Sequence, residues 1–223
     1  GEKKIITTED PVEYELPGVL QIPVNDKKGL TFARGLRSIL RHDPDTILVG
    51  EIRDGETAGI AVQAALTGHL VLSSVHANSA FSVLERFTYM DVDPASFVEA
   101  LNGVVAQRLV RRICPDCGVA AKPDEDIARL AQLPEAQLKR GHYRVGKGCE
   151  GCRHTGYRGR LALAEVLTVT DSIKDGLLNR SSAATLRELA REAGHVFIRD
   201  IALANAAQGD TTLKEIHRVI SLY

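Results

Sequence analysis

Three short apolar runs, Ile5–Thr8, Thr46–Val49 and His69–Val75, are separated by stretches of helical periodicity, and each leads into a polar cluster. Strand-like segments that alternate with helices build a mainly parallel sheet. Between the first two runs, Thr31–Arg41 sets Phe32, Leu36, Ile39 and Leu40 on one helical face. Arg34, Arg37 and Arg41 share another stripe at three- and four-residue spacing. Further helices are expected over Glu56–Thr67 and Ser79–Met90, with caps at Asp54 and Asn78, and over Pro94–Leu109. The fold class is layered α/β.

A chain of 223 residues, 44% of them hydrophobic, is long enough to bury a core and suits one large domain with small appendages. Its formal net charge of −1 offers no whole-chain electrostatic footprint for nucleic acid or anionic lipid, so local clusters would have to carry any such claim, and nucleic acid is not an expected partner. Charge interrupts every apolar stretch well short of the roughly 20 residues that span a bilayer, and no signal sequence opens the chain, so a cytoplasmic protein is expected. Gly1-Glu2-Lys3-Lys4 runs straight into the first strand-like segment, which reads as a cut inside a domain.

From Cys114 to about Arg160 the sequence is punctuated by Gly, Pro, Cys and Arg around one polar helical stretch, Pro123–Lys139. A strand-like Leu161–Val166 follows, then helical patterns over Asp171–Asn179, Ser182–Ala193 and Phe197–Gln208 and from Thr212. The expected division is a partial α/β core over 1–113, a small insert over 114–160 and a helical region over 161–223.

Glu51 follows the apolar run Thr46–Val49, at the carboxyl end of a parallel strand, where open α/β sheets bind ligands. There it can polarise water or support a magnesium shell, or it can be a solvated residue of an ordinary turn. Glu9, Asp10 and Glu13 repeat the arrangement after the first run; clustered carboxylates bind hard cations or orient water, and Asp10-Pro11 is equally a common turn. His69 and His76 lie an odd number of positions apart, on opposite faces of an extended strand, so they are not paired ligands. A lone strand histidine is most often structural, but His76 reaches the same sheet edge as Glu51 and Glu9.

Three ordered segments carry a resemblance: Thr-Glu-Asp-Pro-Val-Glu-Tyr from Thr8, Leu-Arg-x-Ile-Leu-Arg-x-Asp-Pro-Asp-x-Ile-Leu-Val-Gly-Glu-Ile-Arg-Asp from Leu36, and Leu-Thr-Gly-His-Leu-Val-Leu-Ser-x-x-His from Leu66. Together they strongly resemble the Asp box, Walker B and His box of the type II secretion and type IV pilus-assembly ATPase family, and the likeness continues through Gln107–Cys114. The resemblance implies a RecA-like motor acting as a homo-hexamer, with ATP and magnesium bound between subunits, attached to the inner membrane through cytoplasmic domains of secretion or pilus components. It makes Glu51 the Walker B glutamate that helps activate water, puts Glu9, Asp10 and Glu13 near magnesium, and has His76 sense the γ-phosphate. Arg37, Arg41, Arg53 and Arg86 match family arginines that stabilise charge or bridge subunits. Ala77 stands where the family commonly has threonine.

The phosphate-binding loop, Gly-x-x-x-x-Gly-Lys-Ser/Thr, is absent; the resemblance places it upstream of Ile5, so this chain alone is expected to be inactive. Gly141–Lys147 comes near it, but Gly148 stands where a hydroxyl is needed, and the segment reads as a decoy. Cys114, Cys117, Cys149 and Cys152 form two Cys-x-x-Cys pairs, which can close a structural zinc cage of four thiolates. The interval between the pairs exceeds the usual roughly 15–20 residues, and the helical stretch can fill it. Redox or plain buried thiols are the alternatives. Arg153, His154, Arg158 and Arg160 can offset the cage's charge or form a docking face. Two rival functions remain: a conjugation or retraction motor, against which the tetracysteine element argues, and a zinc-stabilised interaction module without ATPase activity.

Overall fold

The computed structural model describes residues 3–77 and 80–220. Contacts divide the chain into two units, one of residues 1–104 and 168–193, the other of residues 105–167 and 194–223. The 114–160 segment falls whole within the second unit, and the C-terminal helices are shared between the two.

In the first unit, β1 (Ile5–Glu9), β2 (Leu20–Pro23), β3 (Thr46–Val49) and β4 (Leu70–Ser73) form a parallel sheet in the order β2-β1-β3-β4. The central strands are buried in nearly continuous runs, Ile6–Thr8 in β1 and Thr46, Ile47 and Val49 in β3, as expected of strands covered on both faces. β4 ends the sheet, with Leu70 and Leu72 each 48% exposed. β2 was not legible in the sequence: it is a four-residue edge strand closing on Pro23, a residue tolerated at an edge because no ladder bond is lost on the open side.

The helices of this unit are α1 (Phe32–Ile39), α2 (Gly55–Leu66), α3 (Ala80–Thr88) and α4 (Pro94–Ala100). The Thr31 hydroxyl caps α1 by accepting from the Arg34 N–H, and Phe32, Ala33, Leu36 and Ile39 bury one face. A 3₁₀ turn over Leu40–His42 ends the helix, so Arg41 lies outside the α-helical stripe expected for it. Asp54 caps α2, as expected; Asn78, the expected cap of the next helix, lies outside the described residues together with Ser79. Gly55 is required at the start of α2, where a Cβ would sit 2.3 Å from the Met90 carbonyl oxygen.

One expected helix is cut short. Pro94–Leu109 is helical only to Ala100, after which Gly103–Ile113 forms the long strand β5. The adjacent Val104 and Val105 favour extended backbone, and exposure alternates residue by residue as far as Arg111, a two-residue period in place of a helical one.

β5 pairs with β8 (Tyr157–Thr168), and β6 (Gly118–Ala120) pairs antiparallel with β7 (Arg144–Gly146). Between β6 and β7 the polar stretch is broken into α5 (Glu125–Leu130) and α6 (Glu135–Arg140), because Gln132 takes a left-handed φ of 50° and Pro134 follows. α7 (Asp171–Leu178) and α8 (Ala183–Glu192) belong to the first unit, α9 (Ile198–Gln208) and α10 (Leu213–Val219) to the second. The second unit's core joins Val110, Tyr143, Leu163, Leu203 and Ile216. Glu215 is buried beside that core and accepts hydrogen bonds from both Arg111 and Arg218. Among the described residues no helix is long and apolar enough to cross a membrane.

Candidate active site and metal centre

The sheet register puts Thr8, Val49 and Ser73 level on neighbouring strands, so the residues that follow them emerge at one edge. Backbone bonds tie these exits together: Gly50 N–H donates to Thr8 O at 2.7 Å, and Ile52 N–H donates to Ser74 O at 3.1 Å. Gly50 permits the approach, since a Cβ there would lie 3.1 Å from Thr8 O and 3.3 Å from Glu9 Cα.

Glu51 is the centre of the polar cluster at this edge. Its Oε1 accepts from Arg53 Nη2 at 2.5 Å, and His76 Nε2 stands 3.5 Å from its Oε2. Arg53 also reaches Asp10 Oδ2 at 3.7 Å and lies over the Phe32 ring, 5.9 Å from its centroid. The Arg53 hydrogen bond holds the Glu51 carboxyl below the usual carboxylate range against the opposing effect of burial, and the charges of Arg53 and His76 add to it. Glu51 is therefore ionised at neutral pH, with a basic side chain facing each oxygen. Such a carboxylate can orient a water or a cation; it can take up a proton only once Arg53 has let go.

Glu9 is close by but separately held. Its Oε1 accepts from the Thr7 hydroxyl and from Gln21 Nε2, and neither residue stands out in the sequence as functional. The Thr7↔Gln21 register supplies the signal, and it becomes visible only once β2 is recognised.

The remaining candidates do not join the cluster among the described residues. Glu13 is exposed, Arg37 is paired with Glu56 at 2.7 Å, and Arg41 is exposed with no ion-pair partner. Arg86 buries its Nε without a hydrogen-bond partner. Arg34 uses its Nη1 on Gly29 O at 2.8 Å, so the three arginines of the expected stripe have three different environments. His69 is structural, its Nδ1 lying 3.0 Å from Ala64 O at the end of α2.

In the second unit the four cysteines converge. The sulfurs of Cys114 and Cys149 are 3.9 Å apart, those of Cys117 and Cys152 3.8 Å, and those of Cys149 and Cys152 3.7 Å. All four lie within 4.8 Å of one another. A tetrahedral ion with metal–sulfur bonds of about 2.3 Å needs sulfurs about 3.8 Å apart, so the cluster fits a metal such as zinc.

Backbone groups hold the arrangement. Cys149 N–H and Gly156 N–H donate to Cys152 Sγ at 3.2 and 3.3 Å, and Gly156 O accepts from Cys114 N–H at 3.0 Å. The Cys149 N–H bond leads in drawing the Cys152 thiol down to about 6, whereas burial pushes Cys117 up to about 11. Arg158, one of the residues considered for offsetting the cage's charge, is engaged with Asp116 inside the first Cys-x-x-Cys pair. The Gly141–Gly148 segment runs through the short strand β7 and leads into the second pair, followed only by a three-residue 3₁₀ turn, Glu150–Cys152, and by no α-helix that could receive a phosphate.

A sequence model of the family described as type II/IV secretion system protein matches residues 1–218. The type IV pilus assembly ATPase PilB of Thermus thermophilus is 49% identical over 215 residues, covering 96% of this chain and 24% of the relative. The type II secretion system protein E of Aeromonas hydrophila is 44% identical over 218 residues, covering 98% and 43%. Of solved structures, the pilus retraction motor PilT with bound ADP matches with a TM-score of 0.68 at 25% identity, covering 97% of this chain and 52% of that one. The Legionella pneumophila ATPase DotB shares the fold, with a TM-score of 0.65 at 22% identity over 97% and 51%. The chain thus spans less than half the length of these two curated relatives.

Proposed function

We propose, from the premise that this chain belongs to the type II/IV secretion system protein family, that it is part of a motor ATPase powering assembly of a pilus or a pseudopilus. Its parallel sheet is a RecA-like core. The observation that carries the reading is Glu51 at the carboxyl end of β3, gripped by Arg53 and faced by His76, where three parallel strands end together. In this reading Glu51 orients the attacking water once Arg53 turns from it toward the developing phosphate charge. His76, the most exposed member of the cluster, reports the state of the terminal phosphate. Glu9 and Asp10 would help to hold a hydrated magnesium at this edge, Glu13 would have to reach it from its exposed position, and that ion, when bound, would supply neutralising charge. The whole protein is read as a hexamer in which Arg37, Arg41 and Arg86 serve a neighbouring subunit. It would work at the cytoplasmic face of the inner membrane through partner proteins, with zinc in the cysteine cage as a structural metal.

The test compares this chain with a longer protein that carries a phosphate-binding loop upstream. The longer protein should hydrolyse ATP, and Glu51→Gln should lower kcat by roughly 100-fold while leaving nucleotide binding largely intact. The 223-residue chain alone should show no turnover, lacking the amides and lysine that cradle phosphates. Unchanged kcat in the Glu51→Gln protein would leave Glu51 a structural residue and remove the basis of the reading.

A further inference from the structure

Gln21 makes more directed contacts in the first unit than its place on an edge strand requires. It lies on β2 opposite Thr7 of β1, and Thr7 and Glu9, two positions apart on that strand, point to the same face. Its Nε2 donates to Glu9 Oε1 at 2.9 Å and to Tyr14 O at 3.0 Å, and its Oε1 accepts from Leu16 N–H at 2.8 Å. One side-chain amide thus uses both its hydrogens and its oxygen. The Thr7 hydroxyl donates to the same Glu9 oxygen. Thr7 itself is buried, so the donor cannot swing away into solvent.

Two donors on one oxygen fix a carboxylate in rotation as well as in place. Among the described residues no hydrogen bond reaches Glu9 Oε2, which makes it the one oxygen free to accept from a bound water. We propose that Gln21, with Thr7, is a positioning residue that locks the Glu9 side chain so that only Oε2 faces the site. This rests on the motor reading above for its consequence, but the lock itself does not. A carboxylate free to rotate would offer either oxygen and spend part of its time turned away, so the lock raises the fraction of productive geometry. Outer-shell partners of this kind are commonly worth about 10–100-fold in activity or affinity.

A merely structural role for Gln21 is the competing explanation, since it also staples the loop at Tyr14 and Leu16. Thr7→Val separates the two, because it is close to isosteric, removes only the second donor and touches no part of the loop. Gln21→Glu keeps an acceptor for Leu16 N–H but puts a second carboxylate against Glu9.

In the 223-residue chain, side-chain couplings measured by NMR should show Glu9 in one rotamer, and the Gln21 amide hydrogens should exchange slowly. Both variants should let Glu9 average between rotamers. In the longer protein each should lower kcat by roughly 10-fold or more with the KM for ATP within about twofold, and with little change in Tm for Thr7→Val. Rotamer averaging of Glu9 in the unsubstituted chain, or wild-type kcat in Thr7→Val, would overturn the proposal. No turnover by the unsubstituted longer protein would instead remove the motor reading, leaving the NMR result to decide the lock.

Discussion

Glu51 meets its partners through side chains that stay largely in water, His76 at 86% exposure and Arg53 at 53%, whereas Cys114 and Cys152 are buried and Cys152 Sγ accepts from two backbone N–H groups. The first arrangement can be undone by rotating two exposed side chains, whose pairing with Glu51 is screened by water and salt. The second can be undone only by breaking backbone bonds that also join Cys114 to Gly156. The contrast teaches where this molecule can change state cheaply. The carboxylate that the proposed reading asks to exchange partners sits among exposed side chains, and the cysteine cluster is held by the main chain.

Removing one cage ligand should give the largest effect. Structural zinc binding in small domains is worth on the order of 10 kcal/mol and is coupled to their folding. Cys149→Ser should therefore release one metal per chain, by elemental analysis, and raise amide hydrogen exchange across residues 114–160. The parallel sheet, with its own core of Ile6, Leu36 and Ile47, should keep its protection. Equal loss in both units would erase the distinction between them.

Glu215 extends the contrast to charge. Burial opposes its ionisation, yet the hydrogen bonds from Arg218 and Arg111 hold its carboxyl at about 2, below its ordinary 4.5. A carboxyl depressed on folding stabilises fully above its unfolded value and loses that contribution as pH falls toward its folded one, so the loss is expected between about pH 4.5 and pH 2. The ceiling is about 3 kcal/mol, lowered by screening because both arginines are about half exposed. Glu215→Gln should lower stability at pH 7 and flatten the acid side of the profile in denaturant melts. An acid limb identical to that of the unsubstituted chain would show the buried carboxylate to be neutral in the energetics.

How much of this was legible depends on whether the signal was local. β1, β3 and α2 were read within about one residue, because each has a continuous apolar or capped pattern of its own. The convergence of the cysteines was likewise written into their spacing. β5 was not: its stretch Gly103–Leu109 also supports a helical reading, and its pairing with β8 is distant in sequence. The Glu51–Arg53 contact joins positions two apart and could be anticipated, but the place of Gln21 depends on the β1–β2 register, which the sequence did not reveal. Arg37 and Arg41 matched a motif, yet they lie apart from Glu51, since a motif specifies residue types and says nothing of the side-chain conformation in one state.

A smaller perturbation sharpens the view of the cage as a backbone construction. A Cβ on Gly146 would come within 2.0 Å of the Gly156 carbonyl oxygen, and Gly156 is the residue whose N–H and C=O serve Cys152 and Cys114. Gly146→Ala leaves all four ligands in place but pushes on the main chain that aims them. Metal affinity, measured by competition with a chelator, should fall by about 10–100-fold, as for loss of an outer-shell contact. Undiminished affinity would mean that the sulfurs alone determine the site.

The smallest effect should come from Arg37. Its bond to Glu56 is short, at 2.7 Å, but the side chains are 49% and 60% exposed, so water and salt screen the pair and chain entropy offsets much of what remains. In the 223-residue chain, Arg37→Ala and Glu56→Ala should each change stability by less than about 1 kcal/mol, with the difference fading at high salt. The two variants should part company in an assembled longer protein. If Arg37 leaves Glu56 to serve a neighbouring site, its loss should lower turnover, while Glu56→Ala, which only frees the arginine, should not. Equal kinetics in both would make the pair an ordinary surface bridge. A stability loss of several kcal/mol from either would show that the first unit, too, is built from contacts it cannot exchange.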